Sequence, residues 1–214
     1  MPLLYGITPQ TISKLLPEAE VIVDPAGVRL KLPNDKNQLR SWWRTLYPHW
    51  QMGDADNFTL VRYLLKHKLS LATVESCTGG LIASLITDVP GASAIFSAGL
   101  CTYSAAAKVE YLRLNPADIP AGAVSQDLTI NMAVRVRQRS RTSLGLATTG
   151  VLGPQSPAPG LNPGLVYIAL SSNEHQVCRR FNFTGNRETI KQLAARAALN
   201  FLFTFSVRWT QWQN

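Results

Sequence analysis

Thr73-Val-Glu-Ser-Cys-Thr-Gly-Gly80 follows an apolar, β-favouring run, Leu69-Ser-Leu-Ala-Thr-Val74, and precedes Leu81-Ile-Ala-Ser-Leu-Ile86, whose apolar positions recur at helical spacing. The stretch therefore reads as a turn between a buried strand and a helix. Two hydroxyls, a thiol and a carboxylate crowd into the four residues Glu75 to Thr78, followed by glycines that let a ligand approach the backbone. The first N–H groups of the following helix face the same place and suit an anion or the oxyanion of a tetrahedral intermediate. The alternative is an ordinary strand-to-helix turn with Thr78 or Ser76 as its cap.

Outward from this turn, the pattern is regular from Asn57. Phe58, Val61, Leu64 and Leu65 lie at helical spacing with Asn57 as the expected cap. Beyond the central turn, Pro90-Gly91 interrupts the helical run and Ile95 to Tyr103 reads as a second strand. Ser104 is placed to cap a helix through Leu112, with Lys108 in its first turn. Ser125 or Asp127 starts another, to about Arg139. There Arg135, Arg137, Arg139 and Arg141 alternate, which on a helix spreads them over two faces and favours a solvated surface over a phosphate-gripping stripe. Leu144 to Thr149 is a third strand, followed by a Pro/Gly-rich loop to Gly164 of the long kind that is usually functional or mobile. Leu165 to Leu170 and Gln176 to Phe183 alternate as antiparallel strands, and Thr184 to Arg187 opens a long amphipathic helix through Leu202. This order predicts an α/β fold, a three-layer-like sandwich on a mixed parallel and antiparallel sheet, over residues 54–214.

Residues 1–53 differ. Glu20 to Asp24 and Val28 to Leu32 flank Pro25-Ala-Gly27 as a β-hairpin, followed by a polar segment and the aromatic cluster Trp42, Trp43, Tyr47 and Trp50. The expectation is a small N-terminal α+β extension bounded near Gly53. Its paired tryptophans fit a cemented subdomain better than a base-stacking platform.

A net charge of +8 favours anionic partners without choosing among them. Three cysteines, Cys77, Cys101 and Cys178, contain no CxxC pair, so neither a disulfide framework nor a zinc site is expected. With no signal-peptide pattern and no apolar run of about twenty residues, the expected setting is the cytoplasm, with no membrane partner.

Five motifs together carry a resemblance. Glu75-Ser-Cys-Thr-Gly-Gly80, Thr102-Tyr-Ser104 with Ala107-Lys108, Gly122-Ala-Val-Ser125, Thr149-Gly150 with Gly153-Pro154, and Phe183-Thr-Gly185 with Arg187 stand in the order found in the C-terminal domain of competence-damage-inducible protein CinA. The chain resembles that family, which includes nicotinamide-nucleotide amidases, from about Asn57 to Phe205. The resemblance implies hydrolysis of the carboxamide of nicotinamide mononucleotide, with Ser76 as nucleophile, Lys108 as general base and Tyr103 as a partner in proton transfer. It implies a small nucleotide as ligand, no metal or organic cofactor, a homo-oligomer, and no nucleic acid. A serine needs a neighbouring base, and His49, His67 and His175 all lie outside these motifs. A lysine does that work uncharged, so its pKa must fall far below its reference of about 10.4, by burial and by the positive end of its own helix.

Backbone N–H groups around Thr78, Gly79 and Gly80 are the oxyanion candidates. Thr149 and Gly150 are expected to line the pocket, and Arg187 to hold the substrate phosphate. Cys77 is a competing nucleophile, better read as a buried small residue. Four places depart from the family pattern: Ala105 and Ala106 replace an amide and a carboxylate, Leu152 an alanine, Asn162 a lysine and Asn186 an aspartate. They motivate the alternative of a catalytically inactive homologue that binds a nucleotide or a protein.

Overall fold

The computed structural model describes residues 57–212 and three N-terminal strands, β1 (Leu3–Leu4), β2 (Val21–Asp24) and β3 (Gly27–Leu30). The chain divides into two compact units, Met1–Asp54 and Ala55–Asn214. In the first, β2 and β3 pair antiparallel as the expected hairpin, Asp24 opposite Gly27, and β1 adds antiparallel to β3. The aromatic cluster from Trp42 to Trp50 lies outside the described residues.

The second unit runs α1 (Asn57–Lys66), β4 (Leu71–Glu75), α2 (Leu81–Thr87), β5 (Phe96–Cys101), α3 (Ala105–Leu112), α4 (Gln126–Ser140), β6 (Leu144–Gly150), β7 (Leu165–Ser171), β8 (Gln176–Asn182) and α5 (Arg187–Trp212). Its sheet has the order β5-β4-β6-β7-β8. β4 is parallel to both β5 and β6, whereas β7 and β8 are antiparallel additions. The sheet is thus mixed, as the sequence order implies.

Burial follows this order. All five residues of β4 are buried, the signature of a central strand covered on both faces, while edge strand β5 alternates half-buried and exposed. One face presents Leu71, Leu144, Leu146 and Ile168 to α1, α2 and α5, through Leu64, Ile86 and Leu202 among others. The other presents smaller residues, Ala72, Val74, Ala147 and Ala169, to Leu112 of α3 and to Leu128, Met132 and Val136 of α4. The result is an α/β/α sandwich. Small residues are required on that second face because α4 lies against the backbone of β6: a Cβ on Gly145 would meet the Ala133 carbonyl oxygen at 2.2 Å.

Helix starts are set by local chemistry. Ser104 Oγ accepts from Ala107 N at 3.0 Å and Ser125 Oγ from Leu128 N at 3.1 Å, so both expected serines cap. Asn57 does not: it is already helical, and its side-chain amide donates to the Leu85 carbonyl at 2.6 Å, tying α1 to α2. Of the alternating arginines, Arg135, Arg139 and Arg141 are exposed, while Arg137 is half-buried and donates to Ser171 Oγ at 3.1 Å and to the Asn173 side chain. Among the described residues, no helix is long and apolar enough to cross a membrane.

Candidate active site

The carboxyl ends of the three parallel strands converge, the usual place for a ligand in an open α/β sheet. β4 ends at Glu75, and Ser76 N donates to the Thr148 carbonyl at 3.1 Å. β5 ends at Cys101, whose side chain is exposed, and leads through Thr102 and Tyr103 to the Ser104 cap. Because that cap fixes where α3 begins, Lys108 is carried inward and is only 1% exposed. Its Nζ lies 3.1 Å from Ser76 Oγ and donates to the Thr102 carbonyl at 2.8 Å.

Burial pushes the Lys108 pKa below its ordinary value, and any negative charge on Cys77 or Cys101 acts the other way. An ammonium held by a neutral hydroxyl and a carbonyl is poorly compensated, which favours the free amine. The Cys77 thiol beside it is pushed up to about 12, chiefly by burial, so it stays protonated and is a poor nucleophile.

A cavity of about 540 Å³ opens over this pair, lined by Ser76, Cys77, Lys108, Tyr103, Gly150 and Arg187. Its far wall is the segment from Val151 to Pro157, facing Gly122 and Val124. The Pro/Gly-rich loop is thus a wall of the cavity. Ser156 Oγ braces it by donating to the Ala158 and Leu161 carbonyls, and Leu161 packs so close that a Cβ on Gly122 would stand 2.7 Å from its Cδ1. Arg187, the first residue of α5, donates to the Tyr103 hydroxyl across the mouth. Asn186 replaces the family's aspartate yet still caps α5, accepting from Thr189 N at 2.9 Å.

Several expected residues are elsewhere. Thr78 is fully buried with its hydroxyl bonded to that of Thr148 at 2.8 Å, and Thr149 is likewise buried against Thr129 at 2.7 Å. Neither side chain lines the cavity: Thr78, on the turn after β4, is held inward by Thr148 of β6, and Thr149 of β6 is turned toward Thr129 of α4. Gly79 and Gly80 do not line it either. Their positive φ values, 59° and 92°, make the turn, and their N–H groups are taken, Gly79 N by the Ser76 carbonyl and Gly80 N by Glu75 Oε2. The helix start that looked open to an oxyanion is therefore closed by Glu75, a residue to which sequence reasoning gave no part. Neither Thr78 nor Ser76 caps α2: Gly80 is the cap residue and makes no side-chain bond. Tyr103 reaches the cavity, but its hydroxyl engages Arg187, and the Thr102 carbonyl holds the amine instead. Among the described residues, no three His, Cys, Asp or Glu side chains converge as a metal set.

A three-layer sandwich that brings a serine and a buried lysine to one cavity, at the carboxyl ends of its parallel strands, defines a class of α/β protein built around a Ser-Lys pair. The chain belongs to the CinA C-terminal domain family, whose model matches residues 56–205. A CinA-like protein of Geotalea daltonii is 44% identical over 152 residues, 70% of this chain and 37% of that protein. A CinA-like protein of Syntrophotalea carbinolica is 41% identical over 145 residues, covering 67% and 35%. The match spans about a third of the length of these relatives. Among solved structures, a competence-damaged protein (CinA) superfamily protein from Klebsiella pneumoniae superposes with a TM-score of 0.69 at 26% identity, covering 72% of this chain and 96% of that one. One from Escherichia coli gives 0.67 at 28% identity, covering 73% and 94%.

Proposed function

We propose that this chain hydrolyses the carboxamide of nicotinamide mononucleotide, giving nicotinate mononucleotide and ammonia. The observation that carries the reading is the 3.1 Å approach of Lys108 Nζ to Ser76 Oγ inside a cavity that buries the lysine. At that separation an uncharged amine accepts the serine proton. The alkoxide attacks the carboxamide carbon, and the tetrahedral intermediate collapses as the lysine ammonium returns a proton to the departing ammonia. Water, deprotonated by the same amine, then attacks the acyl ester, and Ser76 leaves with its proton restored. The backbone N–H groups of Cys77 and Thr78 are the remaining oxyanion donors on the turn, those of Gly79 and Gly80 being engaged. Arg187 at the mouth meets the substrate phosphate, releasing Tyr103.

Ala105 and Ala106 are exposed and do not line the cavity, so the groups lost there leave the Ser76–Lys108 pair intact. Ammonia release from nicotinamide mononucleotide is the deciding assay. Ser76→Ala and Lys108→Ala are each expected to lower kcat by at least about 10²-fold to 10⁴-fold. Turnover insensitive to both changes rules the mechanism out, and calorimetric binding without product replaces it with the inactive, nucleotide-binding homologue.

A further inference from the structure

Glu75 is only 1% exposed and immediately precedes the nucleophile. Its Oε2 accepts from Gly80 N at 3.0 Å and Ile82 N at 3.1 Å, and its Oε1 from Ala83 N at 2.8 Å. The same residue is fixed through its backbone between two strands, opposite Cys101 on β5 and Thr148 on β6, and its carbonyl accepts from Thr102 N at 2.9 Å. The segment 75–83 is therefore closed on itself by one side chain, with Ser76 inside the loop. We propose that Glu75 is a positioning residue for Ser76, holding the nucleophile turn in register with Lys108; this rests on the Ser-Lys reading above.

The chemistry asks for a carboxylate and not merely a polar side chain. Three donors converge on two oxygens, which requires a group that only accepts. Glutamine has the same size but turns an NH₂ toward at least one of those N–H groups. Aspartate keeps the charge and falls one methylene short of the helix. A buried carboxylate without such donors is costly and would be drawn to the nearest cation. Were that cation Lys108, the amine would be held charged and lost as a base. The turn avoids this by engaging Glu75 with backbone N–H groups, and the influences on Lys108 are burial and two thiols.

The test compares the wild type, Glu75→Gln and Glu75→Asp, each checked for folding by its thermal melt. Two rates are measured: nicotinamide mononucleotide hydrolysis, and modification of Ser76 by a fluorophosphonate, in which the serine oxygen bonds to phosphorus, fluoride leaves and Lys108 takes the proton. Positioning predicts that both variants lose kcat and labelling rate by about 10²-fold, with KM within about threefold of wild type. The pH at half-maximal rate stays unchanged because Lys108 keeps its environment. Wild-type rates in Glu75→Gln overturn the proposal. So does a Glu75→Asp variant that is fully active while Glu75→Gln is not, or a shifted pH midpoint, since either makes charge the role. Failure of both variants to fold assigns Glu75 to folding alone and also overturns it. A wild type that is labelled at Ser76 but releases no ammonia removes the amidase reading and leaves Glu75 to be judged on labelling.

Discussion

At the scale of single residues, Lys108 joins function to stability. In the proposed mechanism its free amine is the active form, so kcat/KM is expected to rise with pH and level off above a midpoint lower than the ordinary lysine value of 10.5, with the lowering caused first by burial. A pH profile of nicotinamide mononucleotide hydrolysis checks this, and Lys108→Ala abolishes the limb. The same burial weakens the fold. Between the lowered folded pKa and that of the unfolded chain, the unfolded state holds a proton that the folded state lacks, so stability rises with pH across that window. Below the folded pKa the whole penalty is present. Lys108→Met is therefore expected to melt higher than wild type near neutral pH, by about 2–4 °C for each kcal/mol relieved, with the gap narrowing toward pH 10.5. Arg187→Ala removes a guanidinium of the cavity wall and is expected to raise KM for the mononucleotide about tenfold to hundredfold with a smaller change in kcat. Steady-state kinetics with the nucleoside, which lacks the phosphate, is expected to show no such increase. Ser76, Lys108 and Arg187 were legible because each sits in a recognisable motif. Glu75 was not, because its role depends on backbone N–H groups five to eight residues ahead turning back on it, which the glycine φ values produce and no spacing rule encodes.

At the scale of elements, the site depends on where α3 and α4 begin and how closely they pack. Ser104→Ala removes the cap of α3 and is expected to cost about 1 kcal/mol of stability. It also lowers kcat, because the freed first turn carries Lys108 away from Ser76. A thermal melt and the ammonia assay read the two effects separately. On the other side of the helix layer, Gly145→Ala places a methyl group against the α4 backbone at Ala133. The expected loss is about 1–3 kcal/mol, seen as a lower Tm, with the cavity-facing residues unaltered. Strands and helices were legible because hydrophobic period and capping residues agree along this part of the chain. The requirement for Gly145 was not, since an isolated glycine in a strand shows only that something comes near, not that it is a helix backbone. For the long Pro/Gly loop the composition left functional and mobile open: Ser156 hydroxyl bonds brace it as a wall of the cavity, and composition alone does not distinguish a braced loop from a mobile one.

At the scale of the whole molecule, the sheet order explains why motifs scattered from Glu75 to Arg187 meet. β4 is the middle of the three parallel strands, with β5 laid on one side of it and β6 on the other, so three carboxyl ends open at one edge. The antiparallel pair β7 and β8 widens the sheet, and α5 then returns Arg187 to the same edge. Sequence order suggested the parallel and antiparallel parts, but not that β4 is flanked by both later parallel strands. That choice is made by burial on two faces at once. The unit Ala55–Asn214 contains every residue assigned to the site. Expressed alone, it is expected to melt cooperatively and to retain the ammonia-releasing activity within about threefold, given that the rates depend on groups it holds in contact. The position of the cysteines has a practical consequence. Cys77 and Cys178 are each pushed up to about 12, whereas Cys101 stands exposed where β5 runs out beside the mouth. A maleimide fluorophore added to the unmodified protein should settle on that one sulfur, two residues from Tyr103, giving an optical gauge of mouth opening with no engineered attachment point.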